Sequence, residues 1–260
     1  MSTAILISGQ LRTFAKCYAS QRWHVFRHFP DIHFFITVQD NPALQFVDTL
    51  RRDYGEDKVH IDARTDPTLE VTPAMAIAYD HAPYANAAPA GQLLMQHWYQ
   101  NEVWKFFEAW QPSSGALIFD TIIRLRPDQF FHSFDPPPPM PPGILLSDFG
   151  DHEFADRRKV AFTPWWGRFG GVNDRFAILG CEAARAYFTL YDRIPELLSE
   201  YHCPFHPESL VKAALEVANC TIHETLRTEF TTLRANGQHR PPEIMPWDLA
   251  HAALSGSRAA

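Results

Sequence analysis

The sequence lacks any run of about 18 apolar residues, and its start, MSTAILISGQ, has no cationic stretch leading into a long apolar one. Neither a spanning helix nor a secretory leader is expected. Cysteine is scarce: Cys17, Cys181, Cys203 and Cys220 lie far apart with no C-x-x-C spacing, which excludes a disulfide framework and suits reduced thiols in a cytoplasmic setting. Basic charge is also short, with 23 Lys plus Arg against 30 Asp plus Glu and a net charge of -7. No overall positive field is available to hold nucleic acid or an anionic bilayer. Glycine numbers only 12 against 21 proline, without a repeat, which excludes collagen-like and flexible-linker sequences.

What the chain does have is apolar and aromatic content: 46% hydrophobic residues, 20 Phe and 7 Trp, with 20% charged. Such a chain folds, and 260 residues suit one large domain. Residues 4–8 (AILIS) form a continuous apolar run ended by Gly9, the pattern of a strand covered on both faces. Thr13 can cap a helix reaching residue 27, followed by a strand over 33–38, a helix over 41–54 and a short strand over 58–62. This β-α-β-α-β order predicts an α/β fold with a doubly wound, mostly parallel sheet flanked by helices. Periodicity fades over residues 63–90 and returns as a helix over 92–110. Residues 120–126 (DTIIRLR) then read as a strand, 136–143 (PPPPMPPG) as a stiff surface spacer and 144–148 as a further strand. Later come a strand over 175–179, helices near 181–201 and 207–219, and a last strand over 226–233, ahead of a weakly patterned tail, 249–260.

Open α/β sheets bind ligands beyond the carboxyl ends of their strands, so chemistry is sought there. Past the first strand stand Ser8, Gly9, Gln10 and Arg12. Gly9 permits close backbone approach, Gln10 can read a base or ribose edge, and Arg12 can grip a phosphate; a plain turn with a surface arginine is the competing explanation. In RLRPD, a strand continuing past Pro127 would put Arg124, Arg126 and Asp128 on one face, either paired among themselves or meeting a diphosphate, with Asp128 on ribose or metal. The loop PWWGRFGGVND offers Trp165 and Trp166 for stacking on sugar, Gly170 and Gly171 for close approach, and Asp174 at the next strand. His206-Pro207-Glu208 fits a helix start by itself and also supplies a second carboxylate. A zinc centre on His202, Cys203, His206 and His223 matches no closed ligand spacing.

Together SGQLRTF, FDTIIRLRPDQFF, GGVNDRFAILG and HPESL resemble glycosyltransferases of the nucleotide-diphospho-sugar, GT-A-like type, over about residues 4–233. The resemblance implies one domain over residues 1–248, with a nucleotide half (about 1–130) and an acceptor half (about 131–248). It implies a nucleotide-sugar donor of the UDP or GDP type and a glycan, lipid-linked, protein or small-molecule acceptor. Ser8 to Arg12 would seat the nucleotide, Arg124 and Arg126 would neutralise the diphosphate, and Asp174, or else Glu208, would be the base. Trp165, Trp166, Gly170, Gly171 and His206 would face the acceptor or sugar. Arg126-Pro127-Asp128 replaces the usual Asp-x-Asp, so Asp128 alone is left as a ligand for Mn²⁺ or Mg²⁺, and the arginines can stand in for the ion. A catalytically inactive nucleotide- or carbohydrate-binding module of the same fold is the alternative.

Overall fold

The computed structural model describes residues 2–39, 46–80, 89–111, 119–136 and 157–240. The first apolar run forms β1 (Thr3–Gly9), buried along all but its last residue. Its side chains alternate between two cores. Ala4 and Leu6 join one apolar cluster, Ile5 and Ile7 the other, which is why the run reads as continuously hydrophobic.

β1 pairs in parallel with β2 (Ile32–Gln39) on one side and with β4 (Thr121–Leu125) on the other, and β2 pairs in parallel with β3 (Val59–Arg64). Beyond β4 the sheet becomes mixed. β7 (Phe176–Leu179) lies antiparallel to β4 and to β6 (Val160–Pro164), β6 runs parallel to β8 (Thr221–Leu233), and β8 is antiparallel to β5 (Gln129–Asp135) and to β9 (His239–Arg240). The order is β3-β2-β1-β4-β7-β6-β8-β5, with β9 beside β8.

Helices α1 (Phe14–His24) and α2 (Val47–Tyr54) cover one face, with Phe14, Tyr18 and Leu50 in the cluster that holds Ile5, Phe34 and Ile36. The other face carries α3 (Pro73–Asp80), α4 (Ala90–Trp110), α5 (Cys181–Phe188), α6 (Leu190–Ser199) and α7 (Pro207–Val217). Trp104, Phe107, Tyr187 and Leu210 pack there with Leu6, Phe35 and Ile122. Burial of each such side chain contributes about 1.5–3 kcal/mol, so the two aromatic-rich cores hold the sheet from both sides. All four cysteines are free thiols. Among the described residues, no helix is long and apolar enough to cross a membrane.

Several expected elements differ in detail. β4 stops at Leu125 and the chain turns at Pro127-Asp128 into β5, so the single face expected for Arg124, Arg126 and Asp128 is not formed. The helix expected near residues 181–201 is two, parted at Thr189. α3 lies inside the stretch read as irregular, and β6 had no sequence counterpart. The expected strand over 144–148, most of the proline spacer and the tail fall outside the described residues.

One topological fact positions the site. The chain leaves β1 for β2 through α1 on one face and returns through α4 on the opposite face to β4, on the other side of β1. The segments that follow β1 and β4 therefore diverge, and a crevice is left beyond their carboxyl ends.

Candidate functional site

A cavity of about 490 Å³ occupies this crevice. Ser8, Gly9, Gln10, Arg12, Arg124, Arg126 and Asp128, all singled out from strand ends, line it together. Gly9 has φ 111°, a backbone conformation that side-chain-bearing residues rarely adopt, which suits glycine at the point where β1 turns away. Sequence reasoning missed further polar lining residues: Asp66 beyond β3, Gln92, Gln96 and Tyr99 on α4, and Arg234 just past β8. Arg234 obeys the same strand-end rule as the others. Gln92 and Gln96 sit four apart on one helix face and could have been read as a polar stripe; Asp66 carries no such signal.

The cavity wall carries two hydrogen-bond systems. On the β1–β3 side, Gln10 Nε2 donates to Gln39 Oε1 at 3.0 Å, Gln39 Nε2 donates to Asp66 Oδ2 at 2.8 Å, and the Tyr99 hydroxyl donates to Asp66 Oδ1 at 2.5 Å. On the β4 side, Arg126 grips both oxygens of Asp128, Nε to Oδ1 at 3.0 Å and Nη2 to Oδ2 at 2.9 Å. The pairing alternative for RLRPD is thus realised, and the pair still lines the cavity. Arg126 Nη1 also donates to Gln96 Oε1 at 3.4 Å, while Gln96 Nε2 donates to Asp174 Oδ2 at 2.6 Å. Guanidinium can only donate and carboxylate only accept, so the Gln96 amide has one permitted orientation.

Arg124 faces the α4 core and is 1% exposed. One guanidinium nitrogen donates to Leu125 O at 2.8 Å, while its buried Nε has no hydrogen-bond partner. Burial pulls its pKa below the ordinary arginine value, and Arg126 nearby adds to that. Arg126 goes the other way: burial would lower its pKa, but Asp128 raises it further. Burial alone would raise Asp128, yet the charge and hydrogen bonds of Arg126 hold it below the usual carboxylate range. Arg12 and Arg234 are exposed at the cavity, and among the described residues neither is in an ion pair, while the charge of Arg234 acts on Asp128.

The acceptor-side set behaves differently. Asp174 is 3% exposed and Glu208 4%, and neither lines the cavity. His206 Nδ1 lies 3.0 Å from Glu208 Oε2, and Arg175 sits 3.9 Å from Asp174 and 4.0 Å from Glu208. Trp166 corrects the stacking expectation outright: it is buried, its indole N–H donates to Thr228 O at 2.8 Å, and its ring packs on Phe230. Trp165 packs partly buried against the same core. Gly171 approaches the backbone of Glu208 rather than a ligand, with Val172 N donating to Glu208 O at 3.1 Å. Gly170 is exposed outside the cavity.

The two buried carboxyls titrate apart. Burial would raise Asp174, but Arg175, Arg126 and the Gln96 hydrogen bond bring it below its ordinary value. Glu208 is raised, first by burial and then by the charge of Asp174. Folding therefore takes up a proton at Glu208 between its ordinary pKa of 4.5 and its raised one, and this contribution to stability is lost as pH rises through the folded value. In Asp174→Asn the second cause is gone. The Glu208 midpoint, read by carboxyl infrared or ¹³C titration, is expected to move down; an unchanged midpoint would show that the two groups are not coupled.

Among the described residues the donor set does not make a closed metal site. Both oxygens of Asp128 are taken by Arg126, and among the described residues no group of three or more His, Cys, Asp or Glu side chains could hold a metal. His202, Cys203, His206 and His223 are not assembled into such a centre.

No protein family profile matches the chain, and no curated protein matches it. Among solved structures, the glycosyltransferase GlyE of Streptococcus pneumoniae is similar at 10% identity and TM-score 0.41, over 85% of this chain and 44% of that one. The mannosyltransferase Ktr4p of S. cerevisiae is similar at 13% identity and TM-score 0.47, over 95% and 78%. Mouse xyloside xylosyltransferase 1 is similar at 12% identity and TM-score 0.37, over 86% and 84%. The chain spans less than half the length of the GlyE chain. With likeness at this level, function has to be argued from the cavity itself.

Proposed function

We propose that the chain is a glycosyltransferase that takes a sugar from a nucleoside-diphosphate sugar of the UDP or GDP type and passes it to an acceptor hydroxyl. The observation that carries this reading is the cavity at the switch point, lined by Arg12, Arg124 and Arg234, none of which is in an ion pair among the described residues. Guanidinium groups outside any ion pair around a polar cavity suit a diphosphate, which binds them bidentately, even with Asp128 near Arg234 and Asp128 and Asp174 near Arg124. In transfer the acceptor oxygen bonds to the anomeric carbon as the bond from that carbon to the phosphate oxygen breaks, the acceptor proton passes to the departing diphosphate, and charge grows on the diphosphate as it leaves. Arg124, buried and held by Leu125 O, stabilises that charge without reorganising, and the exposed Arg12 and Arg234 close on it from the rim. The Gln10–Gln39–Asp66–Tyr99 system presents donors and acceptors suited to base and ribose edges. In this reading Arg126 is neutralised by Asp128 and acts through Gln96, and Asp174 fixes the Gln96 amide from behind. The arginines supply the positive charge, so the mechanism has no step through a metal.

A binding-only module has one observation in its favour: Asp174 and Glu208 are both shut away from the cavity. Turnover separates the two, since a binder keeps nucleotide affinity but releases no nucleoside diphosphate. The test is a thermal-shift series with UDP, GDP, CMP, ADP and their sugar conjugates, each with Mn²⁺ and with EDTA. A ligand at about 100 times its Kd adds roughly 2.7 kcal/mol, worth several degrees. A nucleoside-diphosphate-selective shift that survives EDTA is expected, and Arg12→Ala and Arg234→Ala should each weaken the affinity by about tenfold or more. A shift that requires Mn²⁺ would return Asp128 to a metal role; no shift with any nucleotide would remove the reading.

A further inference from the structure

The first acidic residue of the chain is Asp31, although the whole sequence carries 30 acids and a net charge of -7. Before it stand Arg12, Lys16, Arg22 and Arg27. Lys16, Ala19 and Trp23 follow helical spacing along the exposed side of α1, exposed Arg12 stands just before its N-cap Thr13 at the cavity, and exposed Arg27 follows Val25 in a short 3-10 turn, so the basic and aromatic residues run in sequence from the cavity to the far end of the helix. Lys16 and Trp23 lie about 10 Å apart along the axis. Trp23 is 63% exposed, the most exposed of the large hydrophobic side chains, and the Arg27 guanidinium sits over its ring at 4.7 Å from the centroid.

Acids from the neighbouring elements are already engaged. Asp53 of α2 holds Arg22 at 2.8 Å, Asp31 holds Lys58 at 2.7 Å, and Asp128 is held by Arg126. Asp135 of β5 faces His28. Among the described residues no acid pairs with Arg12, Lys16 or Arg27.

We propose that the Arg12–Lys16–Trp23–Arg27 run is the track on which an anionic polysaccharide lies, its end delivered to the cavity as acceptor. The acceptor part rests on the transferase reading. An aromatic face stacks on sugar rings while flanking cations meet carboxylate, sulfate or phosphate substituents, and Arg12 belongs to both run and cavity. A bilayer is the less suitable partner. The apolar face of α1, with Phe14, Cys17 and Tyr18, is packed into the core, and one Trp is left where an interfacial helix needs a full apolar face.

The test measures binding of the full chain to dextran sulfate, carboxymethyl dextran and neutral dextran of equal length, to phosphatidylcholine vesicles with and without phosphatidylglycerol, and to single-stranded RNA. Both charged dextrans should bind, with an affinity that falls as salt rises, and neutral dextran should not. The exposed double variant Lys16→Ala/Arg27→Ala should weaken binding by about tenfold or more, and Trp23→Ala should weaken it severalfold. Unaltered affinity in these variants would overturn the proposal. So would binding confined to anionic vesicles, or RNA held as tightly as dextran with no contribution from Trp23. The nucleotide thermal shift reports separately on the cavity and should be the same in these variants. Dextran binding without any nucleotide shift would remove the transferase reading and leave the track; a nucleotide shift without dextran binding would remove the track alone.

Discussion

Gly171→Ala is expected to cost about 4 kcal/mol or more, which lowers Tm by roughly 10 °C or more. A Cβ built there would stand 2.0 Å from Glu208 O, 2.1 Å from Glu208 C and 2.5 Å from Ser209 N. All three are backbone atoms of the first turn of α7, so no side chain can swing aside. The loop must lift off the helix, which breaks the Val172 N to Glu208 O hydrogen bond and moves Asp174 two residues on. Gly170→Ala is the control. Its φ is 82° and a Cβ there meets nothing within 4 Å, so only the left-handed backbone penalty of about 1–2 kcal/mol applies. Differential scanning calorimetry of both variants separates space from backbone angle. Equal losses at the two positions would mean that the contact with α7 does not determine the loop's place. Because Asp174 holds Gln96 at the cavity wall, the Gly171 variant should also lose activity in excess of its unfolded fraction at assay temperature.

The parallel half of the sheet was legible because its strands are buried on both faces and therefore read as unbroken apolar runs: AILIS for β1 and HFFITV within β2. Looking past strand ends gathers residues that the fold brings together, since the polar set after β1 and the polar set after β4 line one cavity. The period-2 rule failed one step later. It assumed that the strand outlasts Pro127, whereas the chain turns there, and Arg126 meets Asp128 through the turn instead of along a strand. β5 (QFFHSFD) hid behind the same assumption. The burial of Trp166 and Asp174 was hidden for a different reason: a Trp or a carboxylate near glycines looks available to a ligand, and only the packing of the loop on β8 and α7 shows that both are buried. Asp66 could not be weighed from spacing, because it follows β3 in an irregular stretch and is held at the cavity by Tyr99 and Gln39.

Removal of Arg126 tests whether that arginine touches the donor or only organises the wall. Arg126→Ala strands Asp128, whose side chain is 19% exposed, and leaves Asp174 without one of the cations that hold its charge. Breaking a fully buried pair costs 3–5 kcal/mol; with a fifth of each side chain in solvent, about 2–4 kcal/mol is expected. Arg126→Ala/Asp128→Ala leaves no stranded charge at position 128 and should recover about 1–2 kcal/mol of that loss. Turnover should stay down by about a hundredfold or more in both, because Gln96 loses the guanidinium that meets its carbonyl and Asp174 loses part of its charge balance. Nucleoside-diphosphate affinity is the deciding readout. If Arg12 and Arg234 carry the diphosphate, the double variant keeps its nucleotide shift to within a few-fold in Kd. Should the shift vanish in the double variant yet persist in Asp128→Ala alone, Arg126 would itself be the clamp, freed from its carboxylate when the donor enters, and the role given to the exposed arginines would be wrong.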